Sequence, residues 1–214
     1  MAGFDVVGVD LEPQPHYPFE FHQGDALTFP LDGFDAIHAS PPCQAYTALK
    51  SMWNAREHPD LVAPVRERLQ GTGVPWVIEN VPGAPLTHAV VLCGTMFRLG
   101  CDGAELRRHR LFETSWPMMS PYSCQHGWSG ADSATVGVYG HAGGYSHHQR
   151  YAVIGVYGGH ARDRRRRKNG LHFPTSARAE AMGIDWMTGA ELSQAIPPAY
   201  AEYVGRALME VITL

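Results

Sequence analysis

One cysteine, held on a stiff turn, is well placed in this chain to act as a nucleophile. Cys43 follows two prolines in the segment 39–44, which reads Ala-Ser-Pro-Pro-Cys-Gln. The prolines restrict the backbone and stop a helix or a sheet ladder just before the thiol. The apolar run 34–38 before them predicts a short buried strand. Open α/β sheets place their chemistry at the carboxyl ends of strands. The alternative for Cys43 is a buried structural cysteine.

A second strand is expected to bring an acid to the same edge of the sheet. The apolar run 74–78 predicts a buried strand that ends at Glu79. Residues 46–70 predict two helical pieces, with Pro64 among the breaks between them. A strand, a helix and a second strand form the α/β pattern, which places Glu79 and Cys43 at one edge.

Basic residues occur at two further places. Arg108 and Arg110 lie in the segment 106–114, where alternation predicts an extended chain with both arginines on one face. The alternative is a solvated basic strand. A basic run covers 162–168 in a chain whose formal net charge is -4. It indicates a localised contact with a polyanion, or a solvated loop.

Two acidic residues follow the first two predicted strands. The strand 4–9 ends at Asp10, where nucleotide-binding folds carry an acid for the ribose hydroxyls. Asp25 follows the strand 19–22, where it can accept from an exocyclic amine or cap the next turn. Solvated loop acids are the alternative for both.

The composition is that of a globular protein. The chain has 214 residues, of which 44% are hydrophobic and 18% charged, enough for one domain with a possible small lobe. No apolar run is long enough to span a bilayer, and no secretory signal is present, so we expect no membrane partner. The four cysteines form no CxxC pair. This favours a reducing cytoplasm and gives no zinc signature.

The region from about 115 to 172 is rich in glycine, histidine, serine and tyrosine. Its related pieces 134–140 and 152–159 are consistent with paired strands in a small β-rich lobe. Histidines raise the question of metal binding, but no acidic or thiolate partner is expected at ligand spacing, so no metal is predicted. Helices are predicted at 176–183 and 199–212. Between them Thr188 and Glu191 form a capping box.

Four motifs in order carry a resemblance to a known family. Pro-Pro-Cys-Gln at 41–44, Glu-Asn-Val at 79–81, Arg-x-Arg at 108–110 and Ala-Ile-Pro-Pro at 195–198 resemble those of the DNA cytosine-5 methyltransferases. The compact enzymes of bacteria and their phages are the most similar. The resemblance covers residues 1–114 and 180–208. It implies an α/β fold with a Rossmann-like S-adenosylmethionine-dependent methyltransferase sheet.

The resemblance also implies a division of the chain and roles for its residues. Residues 1–114 would be the catalytic core, 115–175 a small target-recognition region, and 176–214 helices that return to the core. The Cys43 thiolate would add to C6 of a flipped-out cytosine, which makes C5 nucleophilic. Glu79 would act at N3. By the same resemblance, Arg108 and Arg110 would hold the base or the adduct, and Asn80 would support the loop. The residues that would contact double-stranded DNA are Gln44, Asn80, Arg164, Arg165, Arg166 and Lys168. The residues that would contact S-adenosylmethionine are Asp10, Glu12, Asp25, Ala26, Pro41 and Ile196.

The start of the chain departs from the family pattern. The family opens with a strand and a glycine-rich turn that holds the methionine end of the cofactor. The chain begins Met1-Ala2-Gly3-Phe4, after that point, so a βα unit of roughly 30 residues would be missing and the sheet would have a gap. An N-terminal segment or a partner could complete it. Three alternatives remain: an inactive DNA-binding relative, a C5 alkyltransferase with a modified cofactor, and an α/β interaction domain.

Overall fold

The computed structural model describes residues 2–46, 58–124, 126, 135–137, 153–155 and 174–213. Within these residues the protein is a mixed α/β fold. The strands are β1 (Val7–Asp10), β2 (Glu20–Gln23), β3 (Ile37–Ala39), β4 (Trp76–Asn80), β5 (Val90–Leu92), β6 (Gly100–Cys101), β7 (Ala104–Arg107), β8 (Arg110–Thr114), β9 (Thr135–Gly137) and β10 (Val153–Gly155). The α-helices are α1 (Val62–Gln70), α2 (Thr175–Met182), α3 (Gly189–Gln194) and α4 (Pro198–Ile212).

The chain divides into two compact units. Unit 1 comprises Met1–Val91, Arg110–Met119 and Glu202–Leu214, and unit 2 comprises Leu92–His109 and Ser120–Ala201. These boundaries differ from the division at 114 and 175 that the resemblance implies. No helix of the described residues is both long and apolar enough to cross a membrane.

Unit 1 contains two sheets. In the first, β1 and β2 are parallel, with Asp10 opposite Gln23. The second has the order β3-β4-β8-β5, in which β3 and β4 are parallel and β4 and β8 antiparallel. All five residues of β4 are buried, as expected for an inner strand covered on both faces. The strands predicted at 4–9, 19–22, 34–38 and 74–78 are confirmed as β1, β2, β3 and β4, and β8 begins later than the extended segment predicted at 106–114.

Helix α1 packs on the β3–β4 sheet. Leu69 of α1 is buried in one cluster with Trp76 and Ile78 of β4. The prediction that Pro64 breaks the helix is wrong, because Pro64 lies inside α1. The first turn of a helix has no intrahelical acceptor for its N–H groups, so proline costs little there.

Unit 2 contains the third sheet, with the order β10-β9-β7-β6. The parallel pairing of β9 with β10 confirms the predicted pairing of the two related pieces. Helices α2, α3 and α4 confirm the predicted helices, and the capping box of Thr188 and Glu191 is present at the start of α3. The core of this unit consists of buried apolar residues of β6, β7, α2, α3 and the link between these two helices: Cys101, Ala104, Leu106, Ala177, Ala181, Met182, Ile184 and Leu192.

The chain changes sheet at Arg108 and His109. Strand β7 ends at Arg107 and β8 begins at Arg110, and the two strands belong to different sheets. The prediction of one extended segment with Arg108 and Arg110 on one face is therefore wrong. The alternation of residue types in 106–114 carries no sign of this break, because the link is itself made of polar residues.

Candidate active site and a cluster of thiols and imidazoles

The Cys43 turn follows β3 directly. Pro41 is buried and Cys43 is half-buried. A short 3-10 turn, Gln44–Tyr46, begins after the cysteine, and the Tyr46 N–H donates to the Cys43 carbonyl at 3.0 Å. The two prolines before the thiol therefore lead from a strand into a tight turn, as the sequence indicates. Such a turn presents a side chain at a sheet edge without needing further ladder bonds.

The carboxyl ends of β3 and β4 lie side by side. These strands are parallel, and Ala39 pairs with Ile78, so the residues that follow both strands lie at one edge of the sheet. The buried Asn80 makes the link between them. Its side-chain amide donates to the Pro41 carbonyl at 2.9 Å, and its oxygen accepts from the Val81 N–H at 2.9 Å. Asn80 thus ties the Cys43 turn to the end of β4.

A glycine in the loop after β4 fits closely against the same turn. Gly83 has a φ of 102°, which L residues rarely adopt. A Cβ atom at this position would lie 3.2 Å from the Tyr46 carbonyl oxygen. The loop after β4 is therefore packed against the backbone that carries Cys43.

Glu79 forms a buried ion pair with Arg110. The distance from Arg110 Nε to Glu79 Oε1 is 3.0 Å, and the side chains are 12% and 9% exposed. Glu79 lies on β4 opposite Phe112 of β8, so the neighbouring strand brings the guanidinium to the carboxylate. The structure therefore brings together two of the predicted catalytic residues beside the Cys43 turn, within unit 1.

Arg108 has a different environment, within unit 2. Its side chain is buried and its guanidinium donates to the backbone carbonyls of Ser193, at 2.9 Å, and Ala195. The Tyr200 hydroxyl donates to the Arg108 carbonyl at 2.6 Å. These contacts hold the link between α3 and α4, where the half-buried Ile196 lies. The described contacts of Arg108 are thus to backbone, whereas Arg110 is paired with a carboxylate.

The predicted nucleoside contacts lie at the ends of β1 and β2. Asp10 ends β1, and its exposed carboxylate accepts from the Glu12 N–H at 2.9 Å and from the Gln14 amide at 3.2 Å. Asp25 follows β2 and accepts from the Leu27 N–H at 2.8 Å. The Ala26 carbonyl accepts from Arg68 of α1 at 2.6 Å, which fixes this loop.

The acceptors at the ends of β1 and β2 match the donor groups of a nucleoside. A carboxylate offers about four acceptor positions, so Asp10 and Asp25 keep capacity for further donors. Ribose hydroxyls and an exocyclic amine are such donors. Because β1 and β2 are parallel neighbours, the two carboxylates end at one edge of their sheet, as S-adenosylmethionine would require.

A second buried ion pair, which no sequence pattern predicts, joins α1 to β8. Arg66 of α1 binds Glu113 of β8 through two hydrogen bonds, from Nε at 2.6 Å and from a terminal nitrogen at 2.7 Å. The Thr87 N–H also donates to this carboxylate, at 2.8 Å. Burial raises the pKa of Glu113, but the bonds from Arg66 and Thr87 outweigh it and lower the pKa below its usual value. The two residues are far apart in sequence, and no motif marks them.

Four thiol and imidazole groups converge in unit 2. The ligand atoms of Cys93, His109, Cys124 and His126 all lie within 4.8 Å of one another. His126 Nε2 lies 2.6 Å from Cys124 Sγ and 3.5 Å from Cys93 Sγ, and His109 Nε2 lies 3.3 Å from Cys124 Sγ. The expectation that no thiolate lies at ligand spacing from a histidine of the 115–172 region is therefore wrong.

The two thiols of this cluster differ in acidity. Burial raises the pKa of Cys93, but hydrogen bonds from His109, Thr95 and His126 outweigh it and lower the pKa to about 6. For Cys124, burial and the neighbouring Cys93 raise the pKa to about 11. Without a cation, the cluster therefore favours one thiolate rather than two.

Several predicted residues lie elsewhere. Gln44 is an exposed residue of the 3-10 turn after Cys43. The predicted phosphate contacts, Arg164, Arg165, Arg166 and Lys168, lie outside the described residues, and so do five of the histidines of the 115–172 region: His141, His147, His148, His160 and His172.

No protein-family model matches the chain, and no curated protein is significantly similar to it.

Proposed function

We propose that this chain is a DNA cytosine-5 methyltransferase, which transfers a methyl group from S-adenosylmethionine to C5 of a cytosine in double-stranded DNA. One observation carries the proposal. The parallel strands β3 and β4 end side by side, one in the Cys43 turn and the other in Glu79 and Asn80. A nucleophile and a buried acid at one sheet edge are the groups that addition to a pyrimidine requires.

Cys43 is the nucleophile of the proposed reaction. Its thiolate forms a bond to C6 of the cytosine, and the electron pair of the C5–C6 double bond moves toward C5 and N3. C5 would then take the methyl group from the sulfonium of S-adenosylmethionine, whose sulfur keeps the electron pair of the broken bond, and a water molecule would accept the C5 proton. The electron pair of the C5–H bond restores the double bond and the thiolate leaves C6. A duplex hides C6, so the base must leave the stack first.

Glu79 and Arg110 act on the N3 side of the base. Addition at C6 raises the electron density at N3, which takes a proton from solvent water and returns it when the thiolate leaves. The Glu79 carboxylate accepts a hydrogen bond from this N3–H group and so stabilises the adduct. Arg110 lies 3.0 Å from Glu79 Oε1 and orients the carboxylate. Arg108 acts as a positioning residue, because its described contacts are to the carbonyls of Ser193 and Ala195.

The cofactor site of the proposal lies at the ends of β1 and β2. When bound, S-adenosylmethionine supplies an electrophilic methyl group. Asp10 and Glu12 would hold its ribose, Asp25 and Ala26 its adenine, and Pro41 and Ile196 are the other contacts that the resemblance implies. The two hydrogen bonds to the Asp10 carboxylate fix its orientation, which favours tight binding of a diol.

The parallel strand pairs of unit 1 support the Rossmann-like methyltransferase fold. Strand β1 pairs in parallel with β2, and β3 with β4, as in the mostly parallel sheets of this fold class. The free cysteines favour a reducing cytoplasm, of a bacterium or a phage-infected cell.

Nucleoside mass spectrometry of DNA from bacterial cells that express the chain tests the proposal. We expect 5-methylcytosine in cells with the wild-type chain and none above background with Cys43→Ala. Ser40→Ala is the control, because it changes an exposed residue of the same turn. A larger group at C5 would instead indicate a modified cofactor. Equal modification with wild type and Cys43→Ala, or none with a folded wild-type chain, would refute methyl transfer by Cys43.

A further inference from the structure

The four-residue cluster of unit 2 has the ligand set of a metal site. Two sulfurs and two imidazole nitrogens from Cys93, His109, Cys124 and His126 converge within 4.8 Å. We propose that these residues bind one zinc ion in a closed, tetrahedral, structural site. This proposal does not depend on the proposed methyl transfer.

The distances fit a tetrahedral ion. With Zn–S bonds of about 2.3 Å and Zn–N bonds of about 2.0–2.1 Å, the ligand atoms of a tetrahedral site lie roughly 3.3–3.8 Å apart. Two of the separations, 3.5 Å from Cys93 Sγ to His126 Nε2 and 3.3 Å from Cys124 Sγ to His109 Nε2, fall at these values. Cys124 Sγ and His126 Nε2, now 2.6 Å apart, would move apart by about an ångström, and the remaining pairs of ligand atoms lie within 4.8 Å.

The ligand types select zinc. Two thiolates and two imidazoles in tetrahedral geometry are typical of Zn²⁺, whereas Mg²⁺ and Ca²⁺ prefer oxygen ligands. All four positions are filled by protein, so no position remains for water or a substrate, which makes the site structural rather than catalytic. A disulfide between Cys93 and Cys124 would use the sulfurs alone. It would not explain why two imidazoles point at them.

A hydroxyl group supports the sulfurs from the protein side. Thr95 is buried, and its hydroxyl donates to Cys93 Sγ at 3.4 Å and lies 3.6 Å from Cys124 Sγ. Metal sites commonly carry such outer hydrogen bonds, which orient the ligands. Burial also keeps water from Cys93, whose side chain is fully enclosed.

The fold positions the four ligands from three segments. Cys93 follows β5, and Gly94 after it packs so closely on β7 that a Cβ atom would collide with the Leu106 carbonyl. His109 lies beyond the end of β7. Cys124 and His126 come from the segment after residue 120, where Tyr122 is 70% exposed. This segment has little apolar burial, so a metal would supply the stabilisation that a core does not.

The site would also fix the chain between two predicted functional residues. His109 stands between Arg108 and Arg110 in the sequence. A metal bond to His109 holds the backbone where β7 ends and β8 begins. The site can therefore order this link whatever reaction the protein performs.

Metal analysis of the 214-residue chain, purified under reducing conditions without chelators, tests the proposal. We expect one zinc ion per chain. Cys124→Ser and His126→Asn should each lower zinc affinity by more than the roughly 10–100-fold that loss of an outer hydrogen bond costs. His88→Asn and Cys43→Ser are matched controls that should keep the zinc. His88 has a φ of 51°, which asparagine tolerates.

Spectroscopy of the wild-type chain keeps the test independent of whether variants fold. Substitution with Co²⁺ should give the intense ligand-field bands of a tetrahedral site and thiolate charge-transfer bands. X-ray absorption of the zinc form should show two sulfurs at about 2.3 Å and two nitrogens at about 2.0–2.1 Å. Three results would each overturn the proposal. The first is a zinc-free chain that gives no tetrahedral cobalt spectrum, and the second is a disulfide between Cys93 and Cys124. The third is full retention of zinc by both ligand variants.

Discussion

At the scale of single residues, the end of β4 carries two polar side chains with different tasks. Asn80 is 2% exposed and uses both ends of its amide on backbone groups, at Pro41 and Val81. Glu79 faces Arg110 instead. The first side chain holds the turn that carries Cys43, and the second supplies the charge that the proposed reaction needs. A buried amide that bridges two loops is costly to replace because both loops lose a partner.

Asn80→Ala should weaken both the fold and the proposed reaction. The Pro41 carbonyl loses its donor and the Val81 N–H its acceptor, at a cost of about 1–3 kcal/mol in the free energy of unfolding. A loosened Cys43 turn should also slow addition to cytosine by roughly 10²-fold. Urea denaturation and the rate of C5 hydrogen exchange in DNA measure the two effects. Gln70→Ala, at the exposed end of α1, is the control. Wild-type exchange by Asn80→Ala would contradict this role.

At the scale of elements, α1 is tied to the sheet by a buried ion pair. Arg66 of α1 makes two hydrogen bonds to Glu113 of β8, which is 3% exposed. The pair complements the apolar packing of Leu69 against Trp76 and Ile78. Since α1 also binds the Ala26 carbonyl through Arg68, its position affects the predicted nucleoside contacts.

Glu113→Gln should destabilise the protein by an amount that depends on pH. Breaking a buried ion pair costs roughly 3–5 kcal/mol, and the lower end is expected because Arg66 is 20% exposed. The folded pKa of Glu113 is lowered, so its contribution is present above the unfolded value and is lost as the pH falls through the folded value. In urea denaturation, the difference in the free energy of unfolding between wild type and Glu113→Gln should become smaller below about pH 4.3. A difference in the free energy of unfolding that stays constant down to pH 2 would refute a stabilising role of the ionised Glu113.

The sequence predicts elements well where local patterns decide them. Apolar runs mark β3 and β4, and the capping box marks α3, because these signals are local. The break between Arg107 and Arg110 is not predictable in this way. The strands on its two sides belong to different sheets, and the polar residues around it give no local signal. The Arg66–Glu113 pair and the cluster of Cys93 and His109 join distant segments. Within that cluster only Cys124 and His126 are close in sequence, two positions apart, and a single pair of this kind is too common to predict a metal site.

At the scale of the whole molecule, the chain has two compact units, and each contains one of the two candidate sites. Unit 1 holds the Cys43 turn and the Glu79–Arg110 pair. Unit 2 holds the core around Leu106 and the cluster of cysteines and histidines. Metal binding to that cluster would therefore stabilise unit 2 locally.

Zinc should slow hydrogen exchange in unit 2. A ligand at about 1,000 times its dissociation constant adds about 4.1 kcal/mol, or roughly 10³-fold slower exchange for amides that need the unit to open. Mass spectrometry of zinc-loaded and chelator-treated chain should show this protection in 92–97, 107–109 and 120–124. Peptides from α1 serve as the internal control. If zinc did not slow hydrogen exchange in these segments, or slowed it equally in α1, the result would contradict a metal that stabilises unit 2 locally.

The most direct test of the account is whether Cys43 adds to cytosine. Addition to C6 makes C5 nucleophilic, so C5 can bind a proton from water and then lose its tritium. The purified chain should therefore release tritium from C5-tritiated cytosine in mixed-sequence double-stranded DNA, even before methyl transfer. The account predicts release by wild type and Ser40→Ala, and a loss of roughly 10³-fold or more in Cys43→Ala. Equal release by Cys43→Ala, or none by a folded wild-type chain, would contradict the central claim.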